Sequence, residues 1–162
     1  MCWEGKKADH KIAIKDVKVI KVVYVKEGKK DNKCYAPYTG YKYTINKLYK
    51  TKPLVITGRF SKSSIIERGF HSFSMNVDIS FEERHQYLYA PYDLYTICGY
   101  KFYDNIENIY PVTIIEGVRE KVVGKFKLKL LECIIPEGTE YYENEYGEIV
   151  SNKLIITDKE IK

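Results

Sequence analysis

The chain has 162 residues, a formal net charge of +5, and 30% charged against 44% hydrophobic side chains. That balance excludes wholesale disorder, and the length suits one core built without disulfides or metals. No apolar run approaches the roughly 18 residues of a membrane span, and Met1-Cys2-Trp3-Glu4-Gly5-Lys6-Lys7 holds no apolar signal region, so a cytoplasmic protein with no membrane partner is expected.

Isoleucine and valine number 31, leucine 8 and alanine 4, with 16 tyrosines. β-branched and aromatic side chains pack well on a pleated surface, whereas Ala and Leu fill helices. In chain order, Lys11–Lys15 alternates and Val17–Val25 is nearly continuously apolar, which predicts one long strand or two joined by a bulge at Asp16. Residues 27–32 read as a turn, Tyr41–Ile45 as a strand, Asn46-Lys47 as a turn and Leu54–Thr57, after Pro53, as a strand. Ser63–Ile66 and Phe70–Ser74 are short strands on either side of Gly69. Ser80-Phe81-Glu82-Glu83 has the capping-box form and predicts a helix around residues 80–90, stopped by Pro91. Tyr95–Tyr103, Val112–Ile115, Val118–Val123 and Lys125–Ile135 return to strand pattern, and Pro136–Gly138 and Asn144–Gly147 are turns before a last strand at Leu154–Thr157. The expected fold is α+β and strongly β-rich: one domain over residues 1–162, an antiparallel barrel or sandwich with one short helix.

Charge is unevenly spread. Residues 1–62 carry a net +11 and residues 63–162 a net −6, and Glu132, Glu137, Glu140, Glu143, Glu145 and Glu148 follow one another without an intervening Lys or Arg. The basic half 1–62 and the acidic half 63–162 either neutralise each other in the fold or leave a basic face for an anionic partner. The four cysteines, Cys2, Cys34, Cys98 and Cys133, form no Cys-x-x-Cys pair, so no metal site is expected. Cys98 and Cys133 sit in apolar strand contexts and read as buried free thiols.

Two kinds of chemistry fit the remaining residues. Tyr35, Tyr38, Tyr41, Tyr43 and Tyr49 interleave with Lys33, Lys42, Lys47, Lys50 and Lys52, and aromatic faces stack on bases while lysines neutralise phosphate. The expected ligand-binding set is Tyr41, Lys42, Tyr43, Arg59 and His71, the last two as phosphate contacts, with a nucleotide-type small ligand or single-stranded nucleic acid as partner. The alternative is an enzyme resembling the ADP-ribosyltransferases and using NAD. It would employ Arg59 or Arg68, then Ser72 and Ser74 in a Ser-x-Ser strand, then Glu143 and Glu145 as a Glu-x-Glu pair. No Gly-rich phosphate loop or dinucleotide fingerprint accompanies these residues, no serine-nucleophile elbow is present, and no cofactor is expected on the binding reading. Tyr35-Ala36-Pro37-Tyr38 recurs as Tyr89-Ala90-Pro91-Tyr92, either by chance or by duplication.

Gly40-Tyr41-Lys42-Tyr43-Thr44-Ile45-Asn46-Lys47-Leu48-Tyr49, Gly69-Phe70-His71-Ser72-Phe73 and Ile135–Tyr142 with Gly147–Ser151 together resemble small bacteriophage and prophage proteins that share a Gly-aromatic-x-Tyr … Gly-Phe-His layout. The match spans about a third of the chain, and in those proteins a glycine usually stands where this chain has Asn46. The family has no settled activity and supplies no site residues. The resemblance implies a phage accessory protein acting in the host cytoplasm, with a virion or assembly component as a third possibility.

Overall fold

The structure is a computed structural model, and it describes residues 3–26, 31–36, 42–58, 64–66, 68–77, 100–102, 108–111 and 126–161. Most of them are strand. In chain order the strands are β1 (Trp3–Gly5), β2 (His10–Ile12), β3 (Val17–Lys26), β4 (Lys33–Tyr35), β5 (Lys42–Thr44), β6 (Leu48–Lys50), β7 (Thr57–Gly58) and β8 (Ser64–Ile66). There follow β9 (Phe70–Ser74), β10 (Tyr100–Phe102), β11 (Asn108–Pro111), β12 (Phe126–Ile135), β13 (Glu140–Glu143), β14 (Glu148–Ser151) and β15 (Lys153–Glu160). Among the described residues the helical content is one 3-10 turn, Lys7–Asp9, closed by the Asp9 carboxylate accepting from the Lys6 amide at 2.7 Å. The helix expected at residues 80–90 lies outside the described residues, as do the strands expected at 112–115 and 118–123.

Two compact units form. The first draws on Met1–Lys21, Asn46–Asp78 and Leu131–Ile161, the second on Val22–Ile45 and Ile79–Leu130. Their boundary does not follow the change of charge near residue 62. In the second unit β3 pairs with β4 through Tyr24 and Tyr35, β4 pairs with β5, and β11 pairs with β10 and β12, all antiparallel.

In the first unit β3, β9, β14, β13 and β2 lie side by side in that order, every pairing antiparallel. β15 runs between β12 and β6. A separate three-stranded sheet has the order β1-β8-β7. β2 has one strand partner among the described residues, so the row is open, not the closed barrel that was one expectation. Antiparallel pairing also replaces the expected bulge at Asp16: β2 and β3 are separate strands with different neighbours, and Asp16 Oδ1 instead accepts from the Glu137 amide at 2.9 Å.

The core of this unit lies where the small sheet meets the larger one. Trp3 from β1, Ile66 from β8, Tyr142 from β13, Val150 from β14 and Leu54 pack into one buried cluster. The Trp3 indole donates from Nε1 to the Glu148 carbonyl at 2.8 Å and meets the Tyr142 ring edge-on at 5.4 Å. An indole buried at 1% exposure keeps its one donor satisfied that way. The register between β12 and β15 shifts from Leu131 to Cys133. Glu132, at that irregularity, is buried and paired with Lys159 at 3.4 Å, while its carbonyl accepts from Thr157 Oγ1. Cys34 and Cys133 are buried free thiols.

Candidate functional site

After β6 the chain leaves its ladder. The Thr51 amide donates to the Asn152 carbonyl at 2.9 Å, and residues 52–56 then cross to β7 without strand pairing, where a strand over 54–57 was expected. Leu54 explains the departure. It turns into the core cluster with Trp3 and Ile66, while its neighbours Pro53 and Val55 face outward, Val55 at 68% exposure. Pro53 fixes its own φ and biases Lys52 toward an extended conformation, so this lip is stiff.

The opposite wall comes from Arg68, which precedes Gly69 and β9. Gly69 has φ of +150°, and a Cβ there would stand 2.5 Å from Val150 Cγ2 and 2.9 Å from Leu54 Cδ2. Only a glycine lets the start of β9 approach the Leu54 anchor so closely. Between the walls is a groove of about 360 Å³ lined by Thr51, Lys52, Pro53, Val55, Thr57 and Arg68. Two cations, two hydroxyls and an apolar strip face it, and no carboxylate is among the described lining residues. Lys52 and Arg68 are exposed, and among the described residues neither has a hydrogen bond or ion pair.

Other lysines are already engaged. Lys21 is buried and donates to the His71 carbonyl at 2.6 Å. Lys33 donates to Thr44 Oγ1 at 2.7 Å, and Lys47 sits 5.2 Å from the centre of the Tyr49 ring. Lys11 of β2 meets Glu143 of β13 at 3.9 Å, and His10 of β2 meets Glu140 at 3.3 Å. Part of the basic first half is therefore neutralised by the acidic run, on adjacent strands.

Of the sequence-predicted ligand-binding residues, the structure describes Lys42, Tyr43 and His71. Tyr41 and Arg59 lie outside the described residues. Lys42 and Tyr43 are neighbours on β5 in the second unit and point to opposite faces; Tyr43 is buried, so its ring is a core element and not an open stacking platform. His71 belongs to the first unit, on β9. Burial, and secondarily the Lys21 charge, pushes its pKa down to about 3, so at neutral pH it is an uncharged ring and not a cationic phosphate contact.

The transferase residues fall partly in register. Ser72 stands opposite Ile149, and Ile149 opposite Glu143, so the three share a face across β9, β14 and β13. Two strand spacings separate Ser72 from Glu143, roughly 10 Å. Ser72 is buried with no hydrogen-bond partner for Oγ among the described residues, and Glu143 is held by Lys11. Ser74 lies on β9 and donates its amide to the Gly147 carbonyl, beside the turn that carries Glu145. That turn is organised by Asn144, whose Oδ1 accepts from the Tyr146 and Glu148 amides and whose Nδ2 donates to the Glu4 carbonyl. Tyr142, beside it, has its phenol pushed up by burial and by the Glu140 charge.

Among the described residues no three His, Cys, Asp or Glu side chains gather where a metal could bind, and no helix is long and apolar enough to cross a membrane. No protein-family model, no curated protein and no solved structure matches the chain.

Proposed function

We propose that this chain is a non-enzymatic binding protein for a nucleotide-type anionic ligand, and that the Lys52–Arg68 groove is where the ligand sits. The observation that carries this reading is one groove of about 360 Å³ lined by two threonine hydroxyls and two cations that have no partner among the described residues. Small-ligand sites run from roughly 300 to 1,000 Å³ and set a few polar groups against an apolar wall. The net charge of +5 adds long-range attraction for an anion. The resemblance to phage proteins supports an accessory role in the host cytoplasm. Lys52 and Arg68 take the phosphate roles in this reading, His71 being uncharged at neutral pH and Arg59 lying outside the described residues.

A thermal-shift screen against cyclic dinucleotides, ADP-ribose derivatives and short oligonucleotides tests the proposal. A ligand at 100 times its Kd adds about 2.7 kcal/mol, which is a visible shift. If none raises the midpoint and none is retained through gel filtration, the reading fails. The transferase alternative draws less support, because Ser72 is closed off and Glu143 is engaged. Nicotinamide release from NAD that is abolished by Glu145→Gln would restore it, and abundance in purified particles would favour a virion component.

A further inference from the structure

We infer that the groove takes a single nucleoside monophosphate, its phosphate held between Lys52 and Arg68 and its base laid on Pro53 and Val55. This rests on the binding reading above and narrows it from nucleotide-type anions in general to one nucleotide at a time.

Charge is the first argument. A phosphomonoester has a second pKa of about 6 and carries nearly two negative charges at neutral pH. The described lining of the groove offers two positive charges and no negative one. The guanidinium of Arg68 presents a planar fork that matches two phosphate oxygens, and the Lys52 ammonium supplies a compact point charge. Thr51 and Thr57 add hydroxyl donors to the remaining oxygens. An internal phosphodiester carries one charge and would leave one cation unmatched.

Size is the second. Single-stranded nucleic acid sites span roughly 4–16 nucleotides on one platform. A groove of about 360 Å³ is at the small end of ligand sites and has room for about one nucleotide.

The third argument is the apolar wall. Val55 is 68% exposed although it lies on a lip fixed by Pro53 and by the buried Leu54 anchor. Inorganic phosphate would use the cations and leave that wall bare. A base covering it gains burial without reorganising the lip, because Leu54 holds the backbone in place before the ligand arrives.

Isothermal titration calorimetry of the full chain tests this with AMP, GMP, CMP, UMP, the parent nucleosides, inorganic phosphate and a twelve-residue oligothymidylate, each at low and high salt. The expected result is one-to-one binding of at least one monophosphate, at least tenfold tighter than inorganic phosphate or its nucleoside. Lys52→Gln and Arg68→Gln should each weaken it at least tenfold with an unchanged melting temperature, since neither side chain has a partner among the described residues. If the oligonucleotide binds with a steep salt dependence and the monophosphates do not, the single-nucleotide inference falls while the nucleotide reading stands. Equal affinity for phosphate and the best monophosphate removes the base contact and overturns the inference. Binding indifferent to both substitutions overturns the groove assignment. If no probe binds, the inference falls, and the thermal-shift screen with cyclic dinucleotides and ADP-ribose derivatives decides the reading beneath it.

Discussion

The Lys21 ammonium donates a 2.6 Å hydrogen bond to the main-chain carbonyl of His71, and its charge adds to burial in keeping the His71 ring neutral. An ordinary histidine in the unfolded chain titrates near 6.5. With the folded value near 3, the unfolded chain binds the extra proton first as pH falls. The stabilising contribution is therefore complete above about pH 6.5 and is lost progressively down to about pH 3. Between pH 7 and pH 4.5 the loss from this one group is about 2–3 kcal/mol. Denaturant unfolding of the wild type and His71→Gln at both pH values isolates it from the carboxylates, which titrate in both proteins. An equal acid loss in the two would show that His71 is not held neutral. Lys21→Met should raise the imidazole pKa, read from the ring proton resonances.

Asn46 has φ of +63°, the left-handed region that side chains other than Asn, Asp and Gly avoid. Its amide donates to the Ile156 carbonyl at 2.7 Å, which fixes the turn between β5 and β6 onto β15. Glycine adopts this backbone conformation at no steric cost, so it can stand in for asparagine at this turn. Asn46→Gly should change stability by less than about 1 kcal/mol, whereas Asn46→Val should cost about 1–3 kcal/mol. Equilibrium unfolding of the two variants decides it, and equal cost for both would remove the backbone argument.

The strands most legible in the sequence are those with an uninterrupted pattern. Val17–Val25 became β3, and the Lys-alternating run ending at Ile135 became β12, because β-branched and apolar side chains at period two or in continuous runs suit a sheet whatever its neighbours. The hairpin β13–β14 was hidden inside the acidic run. Adjacent Tyr141 and Tyr142 are both buried between Glu140 and Glu143, and Glu145 falls in the turn, so no period-two alternation marks the strands. The groove was not legible as a site. Lys52 belonged to the Lys/Tyr stretch and Arg68 to the transferase pattern, and no local spacing joins them. What joins them is tertiary: Leu54 and Gly69 packing against Val150. Tyr43 illustrates the converse, since a Tyr-Lys alternation that suits base stacking equally suits a strand with one buried face.

Trp3 is the only tryptophan, it is 1% exposed, and its indole bridges β1 to the Glu148 carbonyl at the start of β14. Trp3→Phe keeps an aromatic ring against Tyr142 but removes the donor and some packed volume, leaving the Glu148 carbonyl with the Asn144 amide at 3.1 Å as its acceptor contact. The expected cost is about 1–3 kcal/mol, against about 3–5 kcal/mol for Trp3→Ala. Circular dichroism in denaturant measures both. In the wild type, tryptophan emission should be blue-shifted and move to the red in the same transition. Emission already characteristic of solvent under native conditions would contradict the buried position.

Gly69 ties the fold to the groove. A Cβ at this position meets Val150 Cγ2, Leu54 Cδ2 and, at 3.2 Å, the Ser151 carbonyl, and the φ of +150° is one that a side chain strains to adopt. Backbone strain and overpacking each cost about 1–3 kcal/mol, so Gly69→Ala should destabilise by about 2–6 kcal/mol. Leu54→Ala removes the same contact from the other side and should cost about 2–5 kcal/mol through the cavity it leaves. Both substitutions loosen the seat of Pro53 and Val55, so both should weaken ligand binding as well as stability. Lys52→Gln should weaken binding alone. Unfolding midpoints and phosphate-ester affinities measured on the three variants separate the two effects. If Gly69→Ala leaves the midpoint where it was, the segment from Thr51 to Thr57 is not seated on the start of β9, and the groove loses its wall.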